Sequence, residues 1–326
     1  MKYRYLVLGG DLRNVRLAEM LADDGNKVYS FGQDRSDKVL DDGRIEKCTS
    51  LKTAIDKAQI IIGPVPFSSN EEFINAPFAH DKIMIEDLMK SNNRKIFISG
   101  SIKDGLKKQL DERYLEVIDI MKRDDLAILN TIATAEGTIE VAIKNTDKIL
   151  QGSRVLILGF GRVGKIVANK FSRMSALVTC AARKVSDLAW IKAYGYNSLN
   201  INDMLYDLKE FDIIINTVPQ TILKEKELKH IDSEALLIDL ASSPGGIDGK
   251  MATNMGLNYV WALALPGRIA PSSSAKFIKD TVYTILDERS KNVEWCDENW
   301  KKFPKIYRQI WLKVVKYKME KLQQKN

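Results

Sequence analysis

The chain has 326 residues, of which 45% are apolar and 29% charged, a composition typical of globular proteins and unlike that of disordered or fibrous ones. One hydrophobic core rarely supports such a length, so two domains are expected. The formal net charge is +7, but the stretch from Lys301 onward alone has nine basic residues and one acid. The rest is close to neutral, which argues against a nucleic-acid-binding surface on the folded domains.

The cellular location is suggested by what the sequence lacks. No apolar run reaches about 18 residues, and the N-terminus leads into an apolar stretch without a signal-peptide pattern. The chain has an odd number of cysteines, three, and they are far apart in the sequence: Cys48, Cys180 and Cys296. This pattern fits neither a disulfide framework nor a zinc site. We therefore expect a cytoplasmic protein with no bound metal.

The first 128 residues predict a parallel sheet with covering helices, because short apolar runs alternate with helical or loop segments. These runs are residues 3–8, 27–31, 59–62, 95–99 and 115–120. Ligands of open α/β sheets bind at the carboxyl ends of the strands. We therefore expect Ser99, the last residue of the fourth run, and Gly100, which follows it, to form part of a substrate-binding wall.

Residues 129–150 are predicted to form a linking helix, with Ile132, Ile139, Ile143 and Ile149 as apolar positions and Gly152 as its stop. Apolar runs at 154–158, 177–181, 213–216, 236–240 and 259–262 then repeat the first pattern within a domain of residues 151–268. A helix over 269–290 is expected to return to the N-terminal domain, and 291–326 to form a basic amphipathic tail. The predicted fold class is α/β, with two Rossmann-like doubly wound parallel-sheet domains.

The second domain carries a dinucleotide fingerprint, Gly159-Phe160-Gly161-Arg162-Val163-Gly164, between an apolar strand and a helix. The first glycine permits the tight turn, the second lets the backbone approach the pyrophosphate, and the third lets helix and strand pack closely. The first domain has Gly9-Gly10-Asp11 instead. Because an acid at this turn would repel a pyrophosphate, that domain is expected to have lost any nucleotide.

The second strand of this domain ends in Ala181-Ala182-Arg183-Lys184, where an NAD enzyme would place an acid against the ribose hydroxyls. Arg183 and Lys184 favour a 2′-phosphate, hence NADP(H) over NAD(H), although a solvated basic turn would have the same sequence. Further cofactor contacts are expected from residues at the ends of later strands, namely Thr217, Val218, Pro219, Leu240, Ala241 and Pro266.

Histidine is scarce, since the chain contains only His80 and His230. Neither follows the last strand of the cofactor domain, where 2-hydroxy acid dehydrogenases keep their acid/base histidine. Both are expected to have surface or helix roles. The reaction should then need little proton transfer, or should use a carboxylate such as Glu136 as the catalytic group.

An ordered set of motifs carries a family resemblance. The motifs are Gly9-Gly10-Asp11-Leu12-Arg13, Arg123-Asp124-Asp125-Leu126-Ala127, Asn130-Thr131, Ala135-Glu136-Gly137-Thr138, the octapeptide from Asp239 to Gly246, and Leu265-Pro266-Gly267. Together, over about residues 1–286, they resemble the family of dipicolinate synthase A subunits. The resemblance implies a sporulation enzyme of the mother-cell cytoplasm that acts with a flavoprotein-like B subunit. The implied reaction oxidises a tetrahydro- or dihydrodipicolinate to dipicolinate.

Such a dicarboxylate substrate calls for cationic or N–H partners. Arg13, at the first glycine turn, is the best placed cation in the sequence. The linking helix is expected to begin at the crevice between the domains, where helix N-terminal amides favour anions. Its opening residues would be Asn130, Thr131, Thr134 and Glu136. Helix capping alone would explain the same four residues.

The tail has no counterpart in the family pattern. Ile306, Ile310, Val314 and Tyr317 lie on one helical stripe with basic residues mostly opposite. Such a helix could dock on a membrane, but packing on its own domains, on a sister copy in a homo-oligomer or on the B subunit is preferred. Two other functions stay open: a generic dehydrogenase of a 2-hydroxy acid or amino acid, and a non-catalytic nucleotide-binding regulatory protein.

Overall fold

The structure is a computed structural model that describes residues 2–36, 43–90, 95–112 and 115–302, with side chains described up to Lys291. Within these residues it contains two six-stranded sheets, all of whose strands run parallel. The predicted fold class is therefore confirmed. The domain boundaries proposed from the sequence remain predictions.

The first sheet has the strand order β3-β2-β1-β4-β5-β6, which is the doubly wound Rossmann order. The elements of this half are β1 (Arg4–Leu8), α1 (Leu12–Asp23), β2 (Lys27–Phe31), β3 (Ile45–Lys47), α2 (Leu51–Lys57), β4 (Ile60–Ile62), α3 (Ile85–Leu88), β5 (Lys95–Ser99), α4 (Asp104–Glu112) and β6 (Leu115–Asp119). A short 3-10 helix, Ile120–Lys122, follows β6.

The second sheet repeats this order as β12-β11-β10-β7-β8-β9. Its half contains α5 (Asp124–Asn145), β7 (Arg154–Leu158), α6 (Arg162–Arg173), β8 (Leu177–Ala182), α7 (Val185–Ala193), β9 (Asn197–Asn200), β10 (Ile213–Asn216), α8 (Glu225–Leu228), β11 (Leu236–Asp239), α9 (Gly249–Asn254), β12 (Asn258–Trp261), α10 (Leu265–Ile269) and α11 (Pro271–Lys302). Two 3-10 helices, Ile201–Tyr206 and Leu208–Glu210, precede β10.

The central strands are apolar on both faces because helices cover both sides of each sheet. All residues of β4 and β10 are buried, and Ile61 and Ile215 are completely inaccessible. The edge strands β3 and β9 are short and more polar, and they are absent from the predicted strands. Their position at the rim of each sheet explains why no apolar run marks them.

The linking helix differs from its prediction at both ends. α5 begins at Asp124 and ends at Asn145, not at 129 and 150, and Ile143 and Ile149 are exposed. The helix is long and apolar enough to cross a membrane by length and composition alone. However, Ala135 and Ala142 lie in the core of the second half, as in the core helix of a globular fold.

The C-terminal helix is longer than the predicted return helix over 269–290, since α11 extends to Lys302. One compact unit, containing both sheets, extends to Lys279, and a second begins at Asp280. Within the first unit, Lys279 Nζ lies 2.7 Å from Asp24 Oδ2 at the end of α1. The start of α11 therefore contacts the first half. The amphipathic tail pattern falls on positions 306–317, outside the described residues.

Candidate functional site

The three glycines of the fingerprint have the geometry that each role requires. Gly159 has φ +97°, and an added Cβ would lie 2.6 Å from Thr217 Oγ1. A Cβ on Gly164 would lie 2.2 Å from the Gly159 carbonyl oxygen, so this glycine lets α6 approach β7. A Cβ on Gly161 would meet nothing within 4 Å. The open space over Gly161, at the N-terminus of α6, fits a bound pyrophosphate.

A cavity of about 390 Å3 opens over this turn, in the size range of small-molecule sites. Its walls contain Gly159, Phe160, Gly161, Arg162, Val163, Ala182, Arg183, Lys184, Asp187, Ile201, Thr217, Val218 and Pro219. Most residues proposed for cofactor binding thus line one cavity. Gly164, Leu240, Ala241 and Pro266 are outside this lining.

Three charged residues follow β8, on the side of a Rossmann site that binds the adenosine. Arg183 and Lys184 are exposed and have no ion-pair partner among the residues that the structure describes. Asp187, in the first turn of α7, lines the same cavity and is absent from the cofactor-binding residues predicted from the sequence. The cavity wall at this end therefore contains two cations and one carboxylate.

Arg162 connects the fingerprint to the linking helix. Its Nη1 lies 2.6 Å from Asp124 Oδ1, and the two side chains are 53% and 84% exposed. An ion pair so exposed contributes little to stability. Arg162 can therefore leave Asp124 for a phosphate at small cost, and it remains a candidate cofactor contact.

The corresponding turn of the first half is filled by the chain itself. Gly10 N donates to the Asn75 carbonyl at 2.9 Å, and Gln33 Nε2 donates to the Gly9 carbonyl at 2.9 Å. A Cβ on Gly9 would lie 3.0 Å from Ala76 Cβ. The amide and the space that would receive a phosphate are already used, and the loss of a nucleotide from this half remains a prediction.

Arg13 is buried at the place where the two halves touch. Its Nε and Nη2 donate to the Asp11 carboxylate at 2.9 and 2.8 Å, and Nη2 also donates to the Val65 carbonyl. A Cβ on Gly267, in α10, would lie 2.6 Å from Asp11 Oδ2 and 3.0 Å from Arg13 Nε. Nη1 has no partner among the described residues, so one arm of the guanidinium is free.

Ser99 and Gly100 shape the adjacent wall, but both are buried. Ser99 Oγ donates to the Pro64 carbonyl at 2.6 Å, and a Cβ on Gly100 would lie 2.8 Å from Met121 Cγ. Asn130 Nδ2 is 3.7 Å from the sulfur of the same Met121. Asn130 Oδ1 is buried and has no hydrogen-bond partner within the described part of the chain. The structure thus brings Gly100 and Asn130 together at Met121, and Ser99 precedes Gly100 in the chain.

The interpretation of Asn130, Thr131 and Thr134 as the opening of a helix is wrong, because α5 begins six residues earlier at Asp124. The free amides of the helix N-terminus therefore belong to its first turn. Thr131 Oγ1 donates to the Ile128 carbonyl at 2.6 Å, and Thr134 Oγ1 donates to the Asn130 carbonyl at 3.0 Å. Both hydroxyl protons are committed to the helix backbone.

Glu136 is not placed for acid/base catalysis. Its Oε1 lies 2.7 Å from Lys170 Nζ, and its side chain is 48% exposed. Lys170 is eight residues beyond the start of α6, about 12 Å along the helix axis from the fingerprint turn. This ion pair therefore ties α5 to α6 on an outer face.

The remaining candidates for acid/base or nucleophilic chemistry lie elsewhere. His80 Nδ1 accepts from Arg35 Nε at 3.2 Å on the surface, and His230 Nδ1 is 3.0 Å from the Lys226 carbonyl in the turn after α8. These surface and helix-end positions are as expected. Burial raises the pKa of Cys180 to about 12, so this thiol stays protonated and is no nucleophile at neutral pH.

Comparisons with known proteins agree with this division of the chain. Residues 4–121 match the family described as the N-terminal domain of the dipicolinate synthase A subunit. Residues 127–244 match the D-isomer specific 2-hydroxyacid dehydrogenase, NAD binding domain. The second half is thus a nicotinamide-dinucleotide-binding domain of the dehydrogenase type.

Proteins that are similar to this chain over most of its length include dipicolinate synthase A subunits. The dipicolinate synthase A subunit of Bacillus subtilis (strain 168) is 31% identical over 284 residues, covering 86% of this chain and 95% of the relative. The crystal structure of the dipicolinate synthase A subunit from Bacillus halodurans is 30% identical, with a TM-score of 0.79 over 87% of this chain and 97% of that one. The crystal structure of the corresponding Bacillus subtilis protein is 29% identical, also with a TM-score of 0.79, over 90% and 98%. The chain belongs to the family of dipicolinate synthase A subunits.

Proposed function

We propose that this chain is the oxidoreductase component that converts a dihydro- or tetrahydrodipicolinate to dipicolinate during sporulation, with NADP(H) preferred over NAD(H). The observation that carries the proposal is the cavity over the fingerprint turn, with Gly161 open beneath it and Arg183 and Lys184 at its rim. Family membership supports the substrate, the flavoprotein-like B subunit as partner, and the mother-cell cytoplasm as the location.

The chemistry is compatible with the residues present. A bound nicotinamide supplies the acceptor for a hydride, and aromatisation of the substrate ring supplies the driving force. The chain must then bind and orient a dicarboxylate, which requires little proton transfer from side chains. Because Glu136 and both histidines lie away from the cavity, we assign none of them an acid/base role.

The substrate would bind between Arg13 and the wall around Met121. Arg13 is held rigidly by Asp11 but keeps Nη1 available for a carboxylate, and such charge-assisted bonds are among the stronger ones in proteins. Asn130 contributes an amide oxygen without a partner among the described residues, suited to accept a ring N–H or a hydroxyl. Ser99 and Gly100 hold the wall in place instead of contacting the substrate.

The cofactor preference depends on the balance of charge at the end of β8. Arg183 and Lys184 offer two cations to a 2′-phosphate, and a guanidinium can bind it through two hydrogen bonds. Asp187 lines the same cavity and can accept bonds from ribose hydroxyls. We therefore infer a preference for NADP(H) that still permits NAD(H).

The test measures the change in nicotinamide absorbance when the purified chain meets dihydrodipicolinate, with and without the flavoprotein-like B subunit. Cofactor reduction coupled to dipicolinate formation is expected, with either the chain alone or the pair. Activity toward simple 2-hydroxy or amino acids would indicate a generic dehydrogenase. Nucleotide binding without turnover on any of these substrates would indicate a regulatory protein.

A further inference from the structure

We propose that Asn216 and Asp239 are positioning residues that hold one wall of the cofactor cavity, residues 217–219, in the shape that binds the nucleotide. The inference rests on the proposed nucleotide-binding function. It assigns a role to two residues that do not line the cavity and that end the neighbouring strands β10 and β11.

Asn216 fixes the backbone of this wall directly. It ends β10 and is completely buried. Its Nδ2 donates to the Val218 carbonyl at 3.0 Å, and its Oδ1 accepts from the Val218 amide at 3.1 Å. Both polar groups of the Val218 backbone are therefore held by one side chain, which fixes the turn after the strand.

The wall so fixed touches the fingerprint. A Cβ on Gly159 would lie 2.6 Å from Thr217 Oγ1 and 2.7 Å from Val218 Cγ2. A shift of residues 217–218 by a fraction of an ångström would therefore reach the first glycine of the turn that receives the pyrophosphate. Close packing of this kind transmits small displacements.

Asp239 determines which way the Asn216 amide points. A carboxylate can only accept, so the atom of Asn216 that faces Asp239 Oδ1 at 2.8 Å must be the amide nitrogen. Asp239 is completely buried and also accepts from the amides of Ala241, Gly246 and Ile247 at 3.0, 2.7 and 3.0 Å. It therefore links the loop after β11 to the cofactor wall.

The Gly245-Gly246 pair of the octapeptide is needed to close this loop on the two side chains. Gly245 has φ +86°, and its Cβ would lie 2.8 Å from Asp239 Oδ2, while a Cβ on Gly246 would lie 2.1 Å from Asn216 Nδ2. No cation pairs with Asp239 in the part of the chain that the structure describes. A buried carboxylate without a counter-ion is costly, and positioning of the cofactor wall gives a reason for its presence.

The experiment compares NADPH dissociation constants, by nucleotide fluorescence, for the full-length chain and the variants Asn216→Asp, Asp239→Asn and the double variant that exchanges the two side chains. Asn216→Ser serves as a milder change, and thermal unfolding is followed in the same samples. Asp119→Asn is the matched control. Asp119 ends β6 and accepts from the amides of Ser101, Ile102 and Met121, each at 3.0 Å, but it lies in the half without the fingerprint.

Asn216→Asp and Asp239→Asn should each weaken NADPH binding about tenfold, the size of one lost buried hydrogen bond, and Asn216→Ser should weaken it less. The double variant should recover part of the loss, because an amide on β11 could donate to a carboxylate on β10 across the same gap. Asp119→Asn should lower the unfolding temperature while the dissociation constant stays unchanged. Wild-type affinity in the single variants, or an equal loss in Asp119→Asn, would overturn the positioning role. A wild-type chain that binds neither nucleotide would instead refute the proposed function.

Discussion

A methyl group on Gly164 would lie 2.2 Å from the carbonyl oxygen of Gly159, whereas one on Gly161, three residues earlier, would lie in open space. Gly164→Ala should therefore destabilise the fold by about 1 to 3 kcal/mol through overpacking. Gly161→Ala should leave the unfolding temperature unchanged but weaken cofactor binding by roughly tenfold or more, because the new methyl group occupies the pyrophosphate position.

Calorimetric unfolding and nucleotide titration of both variants check this pair of outcomes. Gly105→Ala is the control, since a Cβ there also meets nothing within 4 Å and the residue lies on α4, in the half without the fingerprint. If Gly161→Ala binds NADPH like the wild type, the cavity over this turn is not the nucleotide site.

The charged residues after β8 should control cofactor choice in opposite directions. Arg183→Ala should weaken NADPH binding about tenfold and leave NADH nearly unchanged; we take the low end of the range for a charge-assisted bond because Arg183 is exposed. Asp187→Asn should strengthen NADPH binding and weaken NADH binding. Titration of NADPH and NADH into the wild type and each variant measures these affinities. Equal affinities of the wild type for the two nucleotides would contradict the NADP assignment.

Arg13 should affect the substrate but not the cofactor. Arg13→Ala should raise the substrate KM by roughly tenfold to a hundredfold, as expected for loss of a charge-assisted bond, with the NADPH dissociation constant unchanged. Gly267→Ala should act in the same direction, because its methyl group would displace the Asp11–Arg13 pair. Arg16→Ala, on the same helix and paired with Glu19 at 2.6 Å, is the control. Unaltered substrate kinetics would remove Arg13 from the site.

Stability should fall at alkaline pH. Burial raises the pKa of Cys180 and of Tyr259 to about 12, from ordinary values of 9.0 and 10.0. Above about pH 9 the unfolded chain loses these protons while the folded chain keeps them, so the free energy of unfolding decreases between about pH 9 and pH 12. Urea unfolding across this range should show a shallower decline in Cys180→Ala and Tyr259→Phe than in the wild type. Identical slopes in all three proteins would exclude these groups as the cause.

The tail should be dispensable for folding and cofactor binding, because both sheets are complete by Trp261. Since α11 continues to Lys302, the truncation belongs after that residue and not inside the helix. The shortened chain should bind NADPH normally and change its oligomeric size, its affinity for the B subunit or its sedimentation with anionic vesicles. If the shortened chain no longer unfolds cooperatively, the tail is part of the folded core.

Apolar periodicity predicted the strands that are covered on both faces. It missed β3 and β9, which are edge strands with polar residues such as Glu46 and Asn197. Missing β9 also concealed part of the site, because the segment that follows this strand delivers Ile201 to the cofactor cavity. Apolar periodicity reveals buried positions, and an edge strand can pair with its neighbour in the sheet while few of its side chains are buried.

The linking helix shows a different limit. Asp124 and Asp125 in its first turn are an ordinary start signal, and they would have placed the helix N-terminus correctly. The role of Glu136 could not have been predicted in the same way. Whether a residue on an apolar helix faces a crevice or an outer neighbour depends on which helix packs beside it, here α6 with Lys170.

The filled glycine turn of the first half has a consequence for stoichiometry. Both halves have the same strand order. Asn75 and Ala76 fill the space at the glycine turn of the first half, whereas the space over Gly161 in the second half is open. A titration should therefore count one nucleotide per chain. The second half then holds the proposed nucleotide site, and the strand ends of the first half remain for the proposed substrate.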